Sequence, residues 1–371
     1  MDIERKVYDE KGKRFEIMTD NLQCPEPNRI QDYYIAYFDI LGYKDFFEHQ
    51  SEKVPELLKS IHDAIQHTKN HLSFANQSPI MNVVGKIDIR YKIFSDNFFL
   101  CMEADNGKAE QIRLLAFLQI IADIQRGFVN GYELFVRGGI LKGQVSFNSD
   151  YVFGKGLIDV VQMEGKAQYP RIVIAKELVS FLKELQLYSQ DEYEQAVRIE
   201  KKMSQNVVIN SEEDAIYKYM LTCVKLQQVF SMEVSRLTMQ WFDGNWNVSY
   251  LSIPVSQSAL GESFKKNMLQ MIQKASPYDY QLLQQPSQDF DEMLRIHKKR
   301  VEQQLRRFGN NSDIAIEKIK EAEIREKTLR KYVWVMAYHN LVCEHYDKQD
   351  YKIYTKCNCD TRFLKMTIEL A

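Results

Sequence analysis

Residues 33–43 have the sequence YYIAYFDILGY, an apolar run that a single charged residue, Asp39, interrupts. Such a run predicts a buried β-strand. A carboxylate within it is costly unless it is paired or holds a cation. Residues 89–100, IRYKIFSDNFFL, have the same character and predict two strands with a tight turn around Asp96. Each of the two aspartates is therefore expected at the end of a strand.

The elements around these strands follow the order β-α-β-β-α-β. Hydrophobic periodicity predicts strands at 33–40, 87–94, 97–103 and 134–147 and helices at 45–70 and 108–129. This order is typical of an α+β fold of the ferredoxin-like or palm type, an antiparallel sheet with helices on one face. There, the end of the first strand lies beside the turn between the second and third. Asp39 and Asp96 are therefore predicted to meet, although 57 residues separate them.

Composition divides the chain into three predicted parts. Residues 1–30 form a polar N-terminal arm, and residues 31–180 form the βαββαβ domain. Residues 181–371 are predicted to be largely helical, with a short hairpin near 239–251. We expect this last part to serve as an accessory or dimerisation region.

Charge and apolar content exclude several classes of protein. The chain has 49 Lys and Arg against 51 Asp and Glu, a net charge of -2, which argues against a protein that coats nucleic acid. Its six cysteines are scattered and no apolar leader precedes them, which fits thiols in a reducing compartment. No apolar run approaches the ~20 residues of a membrane span. We expect a cytoplasmic protein with neither nucleic-acid binding nor membrane insertion.

One cluster near the C-terminus could in principle hold zinc: Cys343, His345, Cys357 and Cys359. Its spacing matches none of the usual zinc-finger patterns. Ordinary buried or surface thiols are therefore the favoured interpretation.

The two strand-end aspartates suit a two-metal nucleotide site. Two divalent cations need hard oxygen ligands, which the carboxylates of Asp39 and Asp96 could supply together with the carbonyl of Ile40. The segment LGY at 41–43 would turn into a helix whose first N–H groups can hold phosphates. Such a metal pair can polarise an α-phosphate and activate a ribose hydroxyl. The alternative is that both aspartates are surface residues of ordinary turns.

Four segments, in order and at matching spacing, resemble the pattern of class III nucleotidyl cyclases over roughly residues 33–175. They are FDILGY at 38–43, SD at 95–96, RGGILKG at 137–143 and FGKGLIDVVQME at 153–164. More narrowly, the chain is similar to the pyrimidine cyclases of bacterial anti-phage Pycsar systems. The segments VFG at 152–154 and KAQYPRIVI at 166–174 contribute to that narrower resemblance.

The resemblance implies a lyase that converts UTP or CTP to a 3′,5′-cyclic monophosphate and pyrophosphate, with two Mn²⁺ or Mg²⁺ ions as cofactor. Asp39 and Asp96 would be the catalytic carboxylates and, with the Ile40 carbonyl, the metal ligands. Arg137, which enters a glycine-rich strand, would stabilise phosphate charge. The residues expected to bind the nucleotide are Phe38, Ile40, Leu41, Gly42, Tyr43, Lys92 and Tyr151.

Four of these assignments have a structural alternative. Lys92 could extend from a strand edge into solvent, and Tyr151 could be an ordinary loop aromatic. Tyr43 could be a core contact at the start of a helix. Arg137 could belong to a structural ion pair.

The family places its active sites at a head-to-tail homodimer interface, so the resemblance implies a homodimer. The cyclic product would reach a downstream effector by diffusion during phage infection. The chain departs from the family at two positions, however. Ile158 stands where the family has a transition-state Asn, and Gln162 stands where it has an Arg. The alternatives are a catalytically degenerate nucleotide sensor with the cyclase fold, or a palm-type synthase of oligonucleotide second messengers.

Overall fold

The computed structural model describes residues 7–8, 14–15, 29–49, 51–59, 62, 88–104, 110–132, 134–148, 151–252, 290–309 and 319–354. The described strands are β1 Val7–Tyr8, β2 Arg14–Phe15, β3 Gln31–Leu41, β4 Ile89–Phe94, β5 Asn97–Glu103, β6 Phe135–Phe147, β7 Val152–Phe153, β8 Ile172–Ile174, β9 Thr238–Gln240 and β10 Trp246–Val248. The described helices are α1 Tyr43–His49, α2 Glu110–Tyr132, α3 Lys155–Lys166, α4 Lys176–Lys183, α5 Gln190–Ser204, α6 Ser211–Leu237, α7 Phe290–Gly309 and α8 Ile319–His345.

One large sheet organises the fold, with the strand order β4-β5-β3-β6-β8-β10-β9. The long strand β3 lies between β5 and β6 and is antiparallel to both. The four strands β4-β5-β3-β6 have the arrangement that the βαββαβ order predicts, so the α+β fold of the ferredoxin-like type is confirmed. The sheet as a whole is mixed rather than antiparallel, because β8 runs parallel to β6.

Both faces of this sheet are covered. Alternate residues of β3, such as Tyr34 and Phe38, join the main core, which also contains residues of α2. The residues between them, such as Ile35, join a second cluster that includes Val160 of α3. The helices of the predicted βαββαβ unit, α1 and α2, lie on one face as predicted, and α3, which follows that unit, covers the other face. Strand β3 is apolar at both odd and even positions, and a strand of that kind needs cover on both sides.

The C-terminal part of the described chain shares the sheet and the main core. The predicted hairpin is present as β9 and β10, and β10 pairs with β8. Leu305 of α7 and Val335 of α8 are buried in the same cluster as Phe38. The division of the chain at residue 180 stays a prediction. Most of the predicted arm and the predicted helical segment 262–289 lie outside the described residues.

A buried arginine fixes the hairpin and α8 against the sheet. Arg171 is only 2% exposed and pairs with Asp243 in the hairpin turn at 2.5 Å. Its guanidinium lies 5.5 Å from the ring centre of Tyr169 and 5.8 Å from that of Trp334 on α8. Burial alone would raise the pKa of Asp243, but the hydrogen bonds from Arg171 and Asn245 hold it below its usual value. The charge of Arg171 is thus compensated by one carboxylate and two aromatic faces.

Helices α7 and α8 are joined by two buried histidines. The Nδ1 atoms of His297 and His339 are 3.0 Å apart, and the hydroxyl of Tyr250 lies 3.0 Å from Nε2 of His297. Burial lowers the pKa of His339 to about 4 and that of His297 well below its usual value. Both rings are therefore neutral at pH 7, as a chain of hydrogen bonds between them requires.

None of the described helices is both long enough and apolar enough to cross a membrane.

Two glycines of α3 should respond in opposite ways to alanine. A Cβ on Gly156 would lie 2.6 Å from Cδ1 of Ile35 and 3.0 Å from the backbone nitrogen of Gln144, because α3 packs closely on the sheet there. We expect Gly156→Ala to lower the free energy of unfolding by about 1–3 kcal/mol through overpacking. A Cβ on Gly165 meets no described atom within 4 Å.

Gly165→Ala should instead raise the free energy of unfolding by up to about 1 kcal/mol, since alanine favours the helix. Urea unfolding of the two variants and the parent measures both effects. Equal stability of the two variants would contradict the close packing of α3 on β3 and β6.

Candidate active site

The structure brings Asp39 and Asp96 together. Asp39 lies opposite Asn97 in the register of β3 with β5, and the N–H of Ile40 donates to the backbone carbonyl of Asp96 at 3.0 Å. The turn that carries Asp96 includes Ser95 with a φ of 58°, a left-handed conformation that glycine adopts more easily. Asn97 Nδ2 donates to Oδ1 of Asp96 at 3.0 Å. Backbone pairing thus fixes the distance between two carboxylates that are remote in sequence.

The two carboxylates lie in a partly buried environment. The pKa of Asp39 is raised to about 6, chiefly by burial, and the negative charge of Asp96 raises this pKa by more than the positive charge of Arg137 lowers it. Glu164 adds a smaller effect in the same direction. A cation placed between the carboxylates would relieve this repulsion.

Arg137 lies opposite Asp39 on β6 and bridges two carboxylates. Its Nη2 atom is 3.5 Å from Oδ2 of Asp39 and 2.5 Å from Oε1 of Glu164 on α3. Arg137 therefore forms the ion pair that the alternative interpretation predicted, and this ion pair lies beside the predicted metal ligand Asp39. Glu164 was not singled out from the sequence, although it is the last residue of the fourth cyclase-like segment.

A second cation near the site comes from α8. Burial lowers the pKa of Lys331, and the positive charge of Arg137 lowers it further, while Asp39 and Glu164 oppose the shift. These interactions place the Lys331 ammonium within electrostatic range of the carboxylates. No sequence pattern indicates this position, because Lys331 lies in a helix with many charged residues, far along the chain from Asp39.

The predicted phosphate segment lies at the end of β3. Gly42 has a φ of 80° and turns the chain into α1, a helix of only seven residues. The side chains of Phe38 and Ile40 are buried in the main core, so only their backbone atoms could reach a ligand. Leu41 and Tyr43 are partly buried and pack against that core. This packing fits the interpretation of Tyr43 as a core contact.

The predicted base-binding residue Lys92 lies on the edge strand β4, in register with Phe99 of β5 and through it with Tyr37 of β3. The Lys92 ammonium lies 5.9 Å from the ring centre of Phe147, at the end of β6 remote from Arg137. Tyr151 directly precedes β7, which pairs with this same end of β6, and its N–H donates to Asn148. Among the described residues, no hydrogen bond or ion pair joins Lys92 or Tyr151 to the carboxylates.

The positions that depart from the cyclase pattern lie on the open face of α3. Ile158 is 59% exposed, and Gln162 is exposed one turn further along. Phe153 and Val161 are also exposed on this side. Helix α3 therefore presents apolar side chains to solvent where the family pattern has an asparagine and an arginine.

The donor set at the carboxylate pair suits a hard divalent cation. Asp39 and Asp96 offer carboxylate oxygens and Ile40 offers a carbonyl, which are the ligands that Mg²⁺ and Mn²⁺ prefer. The raised pKa of Asp39 shows that positive charge would be favourable there. No cluster of three or more His, Cys, Asp or Glu side chains suited to a metal occurs among the described residues. Two members of the candidate zinc cluster, Cys357 and Cys359, lie outside those residues.

Replacing Asp39 should stabilise the metal-free protein. An acid with a higher pKa in the folded than in the unfolded chain weakens folding as the pH rises through that window, here from 3.8 to about 6. Above the window, Asp39→Asn should therefore raise the free energy of unfolding by about 1–3 kcal/mol. The gain should shrink as the pH is lowered toward 4.

Urea unfolding at pH 8 and pH 5 with a chelator present measures this effect. Asp32→Asn is the matched control, since Asp32 is exposed on the same strand and should change stability little. A less stable Asp39→Asn variant at pH 8 would mean that this carboxylate holds the fold together.

Comparisons with known proteins identify structural similarity but no sequence family. No protein-family model matches the chain, and no curated protein matches it in sequence. Among solved structures, the adenylyl cyclase CyaB from P. aeruginosa is 14% identical, over 43% of this chain and 83% of that one, with a TM-score of 0.30. The guanylyl cyclase Cya2 is 16% identical, over 42% and 79%, with a TM-score of 0.30. A class III adenylyl cyclase-like ATP-binding protein from Pseudomonas aeruginosa is 12% identical, over 41% and 34%, with a TM-score of 0.27.

Proposed function

We propose that the protein is a nucleotidyl cyclase, which converts a nucleoside triphosphate to a 3′,5′-cyclic monophosphate and pyrophosphate. The observation that carries the proposal is the half-buried pair Asp39 and Asp96, whose negative charges repel, held beside Arg137 and the Gly42 turn. The first three of the four cyclase-like sequence segments supply these residues. The raised pKa of Asp39 means that this carboxylate is costly for folding, so a binding role accounts for it better than a structural role.

In the proposed reaction, the ribose 3′ oxygen attacks the α-phosphorus, the bond from that phosphorus to the pyrophosphate oxygen breaks, and the hydroxyl proton leaves to solvent. Asp39, Asp96 and the Ile40 carbonyl would hold two Mn²⁺ or Mg²⁺ ions. When bound, these ions would polarise the α-phosphate and lower the pKa of the hydroxyl. Arg137 would orient Asp39 through their contact and offset the charge that develops on the phosphate.

A head-to-tail homodimer would complete each site. The exposed apolar side chains Phe153, Ile158 and Val161 form a surface suited to burial against a second copy. In such a dimer, Lys92 and Tyr151 would contact the base in a site shared between the two chains. Among the described residues, no hydrogen bond or ion pair joins either of them to the carboxylates of their own chain, which is compatible with this role.

The substrate is proposed to be UTP or CTP, and the product to be a second messenger in bacterial anti-phage defence. This part of the proposal rests on the narrower resemblance of the segments at 152–154 and 166–174. The cyclic nucleotide would act on a cytoplasmic effector, without direct contact between that effector and the enzyme.

The direct test is to incubate the purified protein with each of the four nucleoside triphosphates and Mn²⁺ and to analyse the products by mass spectrometry. We expect cyclic UMP or cyclic CMP together with pyrophosphate. Asp39→Asn and Asp96→Asn should each reduce the rate at least about a hundredfold, the loss typical for removal of a charged group that acts in the transition state. Asp32→Asn should keep the parent rate.

Full activity of both site variants would remove Asp39 and Asp96 from the mechanism. Absence of cyclic product from all four nucleotides would reject the cyclase proposal.

A nucleotide sensor is the second candidate, because Ile158 and Gln162 leave the exposed face of α3 without the family's Asn and Arg. Nucleotide binding by calorimetry, with no turnover of any triphosphate, would favour the sensor. Oligonucleotide products would instead indicate a palm-type synthase.

A further inference from the structure

A cavity of about 760 Å³ lies between the Gly42 turn and the helices α7 and α8. Four of its lining residues are cations: Lys53, Arg300, Arg307 and Lys331. None of the described residues that line it is an aspartate or a glutamate. The described lining residues thus carry four positive charges and no negative one, which favours an anionic ligand.

The size and walls of the cavity suit a ligand of nucleotide dimensions. Sites for small molecules typically have volumes of roughly 300–1,000 Å³. Aromatic side chains, including Phe46, Phe135 and Tyr332, form part of the walls. Apolar walls lower the local dielectric and so strengthen the attraction between the lining cations and a bound anion.

Lys331 belongs both to this cavity and to the charge environment of the carboxylate site. It takes part in none of the hydrogen bonds and ion pairs of the described residues. Burial and the nearby charge of Arg137 both disfavour its ammonium form, as its lowered pKa shows. An anion bound between Lys331 and the other cations would offset this unfavourable charge.

We propose that this cavity binds the polyphosphate group of the ligand, with α7 and α8 supplying the cations from the same chain. The ligand chemistry is two or three linked phosphates, either the tail of a nucleoside triphosphate or free pyrophosphate. The identification of that tail with a cyclase substrate rests on the proposed function, whereas binding of the anion does not. In this proposal, the C-terminal region forms part of the site. The cations of α7 and α8 supply the positive charge that α3 lacks at Gln162.

Calorimetric titration of the full chain with inorganic pyrophosphate, with a chelator present to exclude divalent metals, tests the proposal. We expect Lys331→Met to weaken binding roughly ten- to hundredfold, as for loss of a charged hydrogen bond. Lys331→Arg should retain most of the affinity. The matched control is Lys327→Met, because Lys327 is exposed one turn earlier on α8 and does not line the cavity.

A second pair of variants keeps the test valid if Lys331→Met fails to fold. Arg307→Gln should also weaken pyrophosphate binding at least about fivefold. Arg306→Gln should not, since Arg306 is exposed and pairs with Glu302. Absence of pyrophosphate binding by the parent protein, or equal affinity of the parent and the cavity variants, would overturn the inference.

Competition separates the two sources of the phosphates. Displacement of pyrophosphate by UTP but not by UMP would show that the cavity accepts the triphosphate tail, whereas displacement by neither would restrict it to free pyrophosphate. Pyrophosphate binding that depends on Lys331 in a protein without cyclase activity would leave the inference standing and reject the proposed function. Cyclase activity with kcat and KM unchanged by Lys331→Met would reject the inference and leave the proposed function standing.

Discussion

The repulsion between two neighbouring carboxylates is the constraint on which the rest of the site depends. The backbone hydrogen bond from Ile40 to Asp96 and the register of β3 with β5 hold Asp96 beside Asp39. Burial then prevents water from screening the pair, so the pKa of Asp39 rises to about 6. In a protein shaped by stability alone, a neutral residue would serve better at either position. We propose that binding of a cation between the two carboxylates offsets the repulsion that the pair introduces.

The C-terminal region helps to hold this site in place. Arg171, paired with Asp243 and packed on Trp334, fixes the hairpin and α8 to the sheet beside Arg137. The buried contact between His297 and His339 then fixes α7 to α8. Rigid supporting contacts of this kind let side chains from distant segments keep a defined position at a binding site. The cations on α7 and α8 thus face the Gly42 turn from a supported scaffold.

The parts of the site that the sequence predicted depend on local pattern. Asp39 and Asp96 could be placed side by side because the order of strands in a βαββαβ unit determines which strand ends are neighbours. The burial of Phe38 and Ile40 also follows from alternation along β3 and could have been inferred. The position of Lys331 could not have been inferred. Its approach to Arg137 depends on how α8 packs, and no spacing in the sequence encodes that packing. The packing of α3 on the second face of the sheet was not predicted, because α3 follows the βαββαβ unit that the pattern describes.

The central claim is that Asp39 and Asp96 together hold divalent cations next to a bound triphosphate. The most direct measurement is anomalous diffraction from crystals grown with Mn²⁺ and a non-hydrolysable UTP analogue. We expect two manganese peaks bound by both carboxylates, about 3.5–4 Å apart, as in known two-metal sites. A bound triphosphate with no manganese at these carboxylates would contradict it.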